Sequence, residues 1–195
     1  MTKALDFTSG YASRRPPMLG HNAVATSQPL AAQAGMKMLQ LGGNAVDAAI
    51  AAAMALTVVE PTGNGIGSDA FAIVWDGEKL HGLNASGRSP ASWHADLFAG
   101  KTAVPEIGWD AVTVPGAVSG WVALAERFGT LPLTTLAQPA IDYARNGFPV
   151  SPLIGHLWQR GYNKLKDQPG FSACFAPEGR APRVGEIFLN PAQAN

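Results

Sequence analysis

The sequence has little of what most local chemistries require. One cysteine, Cys174, stands among 195 residues, so no internal disulfide can form. The four histidines, His21, His81, His94 and His156, fall outside any CxxC or HExxH spacing. Neither a metal nor a cofactor is therefore expected. Charge is also scarce: fourteen Lys and Arg balance fourteen Asp and Glu, and no basic run exceeds Arg14-Arg15. That removes the electrostatic footprint of a nucleic-acid binder or a polybasic membrane module. No apolar run reaches the ~20 residues of a bilayer span. The longest, Ala45 to Val59, is interrupted only by Asp47 and Thr57 and gives ~22 Å as helix, the length of a buried helix in a globular protein. The first residues carry Lys3, Asp6 and Ser9 where an export signal would need a continuous apolar stretch. The expectation is a cytoplasmic protein whose partners include no nucleic acid and no membrane.

What is present is apolar and punctuated. Hydrophobic residues make up 47% of the chain, which excludes disorder from low hydrophobicity and allows one core. Residues 1–22 read as a flexible N-terminal segment and residues 23–195 as one folded portion. Ala31 to Leu41 has helical spacing through Ala34, Met38 and Leu41. Gly42-Gly43 ends it, and Asn44 is a good N-cap for the apolar helix that follows. After Glu60-Pro61 a glycine-rich loop, Thr62 to Asp69, leads into the strand-length run Phe71 to Trp75. Asp76-Gly77 supplies hairpin-turn chemistry, and Lys79 to Asn84 returns. A second polar loop, Ser86 to Pro90, leaves the same strand pair, so both loops are expected at one end of it.

Three further helices follow. Ala117 to Phe128 presents Val118, Trp121, Val122 and Ala125 on one face with Gly129 as its stop, and Thr134 to Arg145 ends at Asn146-Gly147. Ser151-Pro152, an N-cap and a proline at the first helical position, opens a helix through Leu165. From Asp167 onward proline, glycine and charge dominate. The last residues, Ala192 to Asn195, carry no helix-ending or strand-pairing device, which fits an interrupted chain or a frayed tail equally well. The pattern as a whole is α+β, helix-rich, with a β-hairpin near Phe71–Asn84.

Local catalytic motifs are missing. Gly63, Gly65 and Gly67 follow a helix and open a strand, the reverse of a dinucleotide fingerprint, and a tight connection is the better reading. Asp69 there is more often a turn residue than an acid. No serine sits in GxSxG, Cys174 has no local signature, and no paired carboxylates stand at a convincing spacing. Thr2 would become N-terminal on loss of Met1, but its polar surroundings suit initiator processing better than catalysis. Arg88, between glycine and serine in a loop, could offer two parallel donors to a carboxylate or could simply be an exposed turn residue.

The run LGGNAVDAAIAAAMALTVVEPTGNGIGSDAFAIVWDG, followed by LNASGRSPAS and VTVPGAVSGWVALAERFGTLPLTTLAQPAIDYARNGFPVS, resembles the amino-terminal part of the large subunit of γ-glutamyltranspeptidases. The likeness runs from about Ala23 to the end. It implies a precursor that cuts itself into two subunits and an αββα sandwich of the N-terminal-nucleophile hydrolases. It also implies γ-glutamyl transfer or hydrolysis on glutathione-type amides through a threonine acyl-enzyme. That threonine opens the small subunit in a TTH-like sequence; Thr134-Thr135 precedes leucine and does not match, so no catalytic residue is expected in this chain. The expected partners are a small-molecule γ-glutamyl substrate and the remainder of the precursor. Arg88 aligns with the family arginine that grips the substrate α-carboxylate. Gly67-Ser68-Asp69-Ala70 departs from the glycine run of many members, which leaves a glutaryl or cephalosporin-type acylase as an alternative. A non-catalytic binding or structural remnant is the other.

Overall fold

The computed structural model describes residues 19–195. The segment expected to be flexible falls outside these residues up to position 18, as does Thr2. Helix α1 spans Pro29–Gln40, with Gln28 as its N-cap accepting from Leu30 and Ala31 N–H groups. Helix α2 spans Ala45–Val59. Gly42, with φ +86, turns the chain between them, a conformation that costs glycine nothing.

The start of α2 is tied on both sides. Asn44 accepts from the Val46 and Asp47 N–H groups, and Asp47 accepts in return from Asn44 N–H at 2.8 Å, a reciprocal capping box. Asp47 is fully buried. Its carboxylate also accepts from the Thr130 hydroxyl at 2.5 Å and from the Thr130 and Leu131 N–H groups. Asn44 Nδ2 donates to the Phe128 carbonyl at 2.6 Å. Burial pushes the Asp47 carboxyl up, but the hydrogen bonds from Thr130, Asn44 and Leu131 outweigh it and hold it below the ordinary carboxylate range.

Strands β1 (Ala70–Trp75) and β2 (Leu80–Ala85) form an antiparallel hairpin, with Ala70 opposite Ala85 and Trp75 opposite Leu80. The apolar run of β1 is buried on one face only. Ala70, Ala72 and Val74 face inward, whereas Phe71, Ile73 and Trp75 are 62–76% exposed. Helix α3, Ala117–Phe128, packs beneath the inner face. A Cβ on its Gly120 would lie 2.8 Å from the Ala85 Cβ, so glycine there permits the close approach. Val118, expected on the buried face, is exposed, because the helix turns Ala117, Gly120 and Trp121 inward instead.

Helix α4 spans Leu133–Asn146 and lies against α2. Two-residue strands β3 (Phe148–Pro149) and β4 (Ile187–Phe188) pair across the last part of the chain, on either side of α5 (Pro152–Leu165) and the short α6 (Phe171–Phe175). Ser151 precedes α5 as expected, yet its side chain makes no capping hydrogen bond. Chain end α7, Pro191–Ala194, returns to α2, where Gln193 Nε2 donates to the Thr57 carbonyl at 3.2 Å.

Helix α2 serves two apolar clusters. One gathers Ala55, Val58 and Val59 with Phe148, Ile154, Trp158 and Phe188. The other joins Ile50 and Ala51 to Met38, Ala117, Trp121 and Leu136. Small side chains on several faces let neighbours approach on opposite sides.

Candidate carboxylate-binding site

The register of the hairpin decides where Arg88 lies. Because Ala70 faces Ala85, the glycine-rich loop enters β1 and the Arg88 loop leaves β2 at the same end, as the sequence implied. A third segment joins them. After Arg88 the chain makes an excursion through two 3₁₀ turns, Ala95–Phe98 and Trp109–Ala111, and returns at Thr113 to Gly116. Val114 N–H donates to the Arg88 carbonyl at 2.9 Å, and the Thr113 hydroxyl donates to the Ser86 carbonyl at 3.3 Å.

The glycine-rich loop closes on the same point. Gly116 and Ala117 N–H groups both donate to the Ser68 carbonyl, at 3.1 and 3.0 Å. Gly116 offers α3 no capping side chain, so a loop carbonyl satisfies donors that would otherwise be orphaned. The Ser68 hydroxyl donates back to the Gly65 carbonyl at 2.6 Å. Ser68 thus pins the loop by both its backbone and its side chain.

Arg88 itself is exposed. It borders a groove of about 440 Å³, lined also by Leu83, Asn84, Ser119 and Ala123. Among the described residues no ion pair includes it. A guanidinium fork has the geometry to meet both oxygens of a carboxylate at once.

Several other charged groups are engaged with one another. His81 Nε2 lies 2.6 Å from Asp76 Oδ2, and Arg127 lies 3.0 Å from His81 Nδ1. Arginine can only donate, so Nδ1 accepts and Nε2 carries the proton that reaches Asp76. With both ring nitrogens engaged, this group fastens the hairpin to α3. Hydrogen bonds from Lys79 N–H, His81 and Glu78 N–H hold the Asp76 carboxyl far below the usual range. Farther along the excursion, Lys164 reaches Glu106 at 2.9 Å and lowers its carboxyl by that hydrogen bond.

Among known proteins, the family model for gamma-glutamyltranspeptidase matches residues 31–195. The chain belongs to the γ-glutamyltranspeptidase family. It is 39% identical over 175 residues to the glutathione hydrolase-like YwrD proenzyme of Bacillus subtilis, a match covering 88% of this chain and 33% of that protein. Among solved structures, cephalosporin acylase from Bacillus halodurans superposes with a TM-score of 0.82 at 49% identity, over 93% of this chain and 37% of that one. The Helicobacter pylori γ-glutamyltranspeptidase gives 0.85 at 28% identity, over 92% and 54%. The fold is that of the N-terminal-nucleophile hydrolases, α+β and helix-rich as expected. The chain spans about a third of the length of the curated relatives it matches.

Within the family frame, Thr134 and Thr135 lie in the first turn of α4, away from the loops that meet at Arg88, and Cys174 is an exposed, free thiol on α6. Sequence reasoning overlooked the partners of His81 and the reach of Asp47 to Thr130. A lone carboxylate inside an apolar helix was the available signal for the second. Nothing local marked the first, because Arg127 joins His81 only through tertiary packing.

Proposed function

We propose that this chain supplies the carboxylate clamp of an enzyme that transfers or hydrolyses γ-glutamyl groups, with Arg88 holding the substrate α-carboxylate. The observation that carries the reading is the exposed guanidinium, without an ion pair among the described residues, at the meeting point of three loops. The nucleophilic threonine belongs to a segment that this chain does not contain. Its hydroxyl attacks the γ-carbonyl, the amine leaves with the hydroxyl proton, and water or an amino acid resolves the resulting ester. The same missing segment would cover Phe71, Ile73, Trp75 and Leu80, whose exposure of 62–76% suits a face completed by further chain.

The 49% identity to a cephalosporin acylase favours a second reading, in which the acyl group is glutaryl and Arg88 holds its terminal carboxylate. Three anilides separate the readings when assayed on the assembled, self-cleaved enzyme. The γ-glutamyl and glutaryl compounds both carry the carboxylate, whereas a 4-aminobutyryl anilide lacks it. Arg88→Lys should lower kcat/KM by roughly ten- to hundredfold on the first two, since a charge-assisted hydrogen bond is worth ~1.5–3 kcal/mol, and leave the third nearly unchanged. Equal losses on all three would remove Arg88 from the site. A higher kcat/KM for the glutaryl than for the γ-glutamyl compound would select the acylase. The chain by itself should release no aniline from any of them.

A further inference from the structure

The crossing beneath Arg88 is built without room for two side chains. Gly87 has φ +80, and a Cβ there would overlap the Val114 carbonyl oxygen and lie 3.2 Å from the Thr113 hydroxyl. Gly116 has φ −107, open to any residue, yet its Cβ would overlap the Ala85 carbonyl oxygen and come within 2.7 Å of Gly87 N. Backbone thus lies directly on backbone on both sides of the crossing. Val114 and Thr113 add two hydrogen bonds across it, and Ser68 receives two more from Gly116 and Ala117. Arg88 follows Gly87 directly in the loop that leaves β2, and its own carbonyl is one of the bonded groups.

An exposed arginine with a long side chain loses rotamer freedom when it binds, and that cost falls when its backbone is fixed in advance. The Arg88 side chain receives no support from neighbouring ion pairs among the described residues. The backbone junction is what remains to aim it. We infer that Gly116 and Gly87 are positioning residues for carboxylate recognition, holding the Arg88 loop against Val114 so that the guanidinium points into the groove beside Ser119. This rests on the reading of Arg88 as the carboxylate clamp. It adds that specificity is set in part by two residues that touch no substrate.

The test compares Gly116→Ala, Arg88→Lys and a control, Gly161→Ala, whose added Cβ meets nothing within 4 Å. Each is assayed on the assembled, self-cleaved enzyme with the γ-glutamyl and 4-aminobutyryl anilides. Gly116→Ala should raise KM for the carboxylate substrate about tenfold, keep kcat within about twofold, and spare the substrate without the carboxylate. Gly161→Ala should match the parent on both. A selective Arg88→Lys beside a Gly116→Ala that changes neither substrate, or both equally, overturns the inference and leaves the clamp standing. If Arg88→Lys is itself unselective, the clamp reading falls and takes the inference with it. Should Gly116→Ala fail to fold or self-cleave, Thr113→Val serves instead, since it deletes one bond of the junction without adding bulk. A selective KM increase of about two- to threefold supports the inference; parent-like KM for both substrates overturns it.

Discussion

The helical part of the molecule and the hairpin part solve the same problem to different degrees. Every large apolar side chain of α2 packs into one of two clusters, and the buried carboxylate of Asp47 is satisfied by one hydroxyl and three backbone N–H groups. The hairpin has an inner face packed on α3 and an outer face of Phe71, Ile73, Trp75 and Leu80 left to solvent. One part encloses most of its apolar side chains; the other leaves one face open. The difference explains where function sits. The finished helices supply a rigid base, and the unfinished sheet carries the loops and the face to which further chain is proposed to add.

The strongest way to break this contrast is at Asp47. Asp47→Ala orphans several buried donors at once, each worth about 1–3 kcal/mol, and should cost about 4 kcal/mol in urea unfolding. The same group gives the contrast a pH signature. Its carboxyl is held below the ordinary range in the folded state, so its contribution is complete above the unfolded carboxylate value of ~3.9 and is lost as pH falls from there through the lower folded value. Stability should therefore drop below about pH 4 in the parent, and that component should be missing from Asp47→Asn. A parent curve that runs parallel to the Asp47→Asn curve would show that the network is not maintained in solution.

Next in size is Ile50→Ala, which empties a fully enclosed site in the cluster with Met38 and Trp121 and should cost about 3 kcal/mol. The smallest effect belongs to the open face. Ile73→Ala removes a side chain that is 76% exposed and should change the stability of the chain alone by less than about 0.5 kcal/mol. Comparable losses at Ile50 and Ile73, measured by the same denaturant titration, would mean that the outer face is already covered by self-association. Light scattering of Ile73→Ala against the parent would then show the smaller particle.

The sequence by itself determined the elements whose signals are local. Asn44 and Gly42 punctuate α1 and α2, Asp76-Gly77 places the hairpin, Gly129 ends α3, and the long motifs announce the family. Even the meeting of two loops at one end of the strand pair followed from the order of hairpin and loops. Tertiary structure decided the rest. The pairing of Phe148 with Phe188 joins residues forty positions apart through strands too short to leave any alternating pattern. The single-sided burial of Phe71 to Trp75 could not be read from a continuous apolar run, because periodicity says nothing about which neighbours exist. The same holds for Val118, turned outward by the close approach of Gly120 to Ala85. Above all, nothing in Gly87 or Gly116 taken alone says that their missing side chains face each other's strands. Close backbone approach is a property of two segments, and a sequence lists only one at a time.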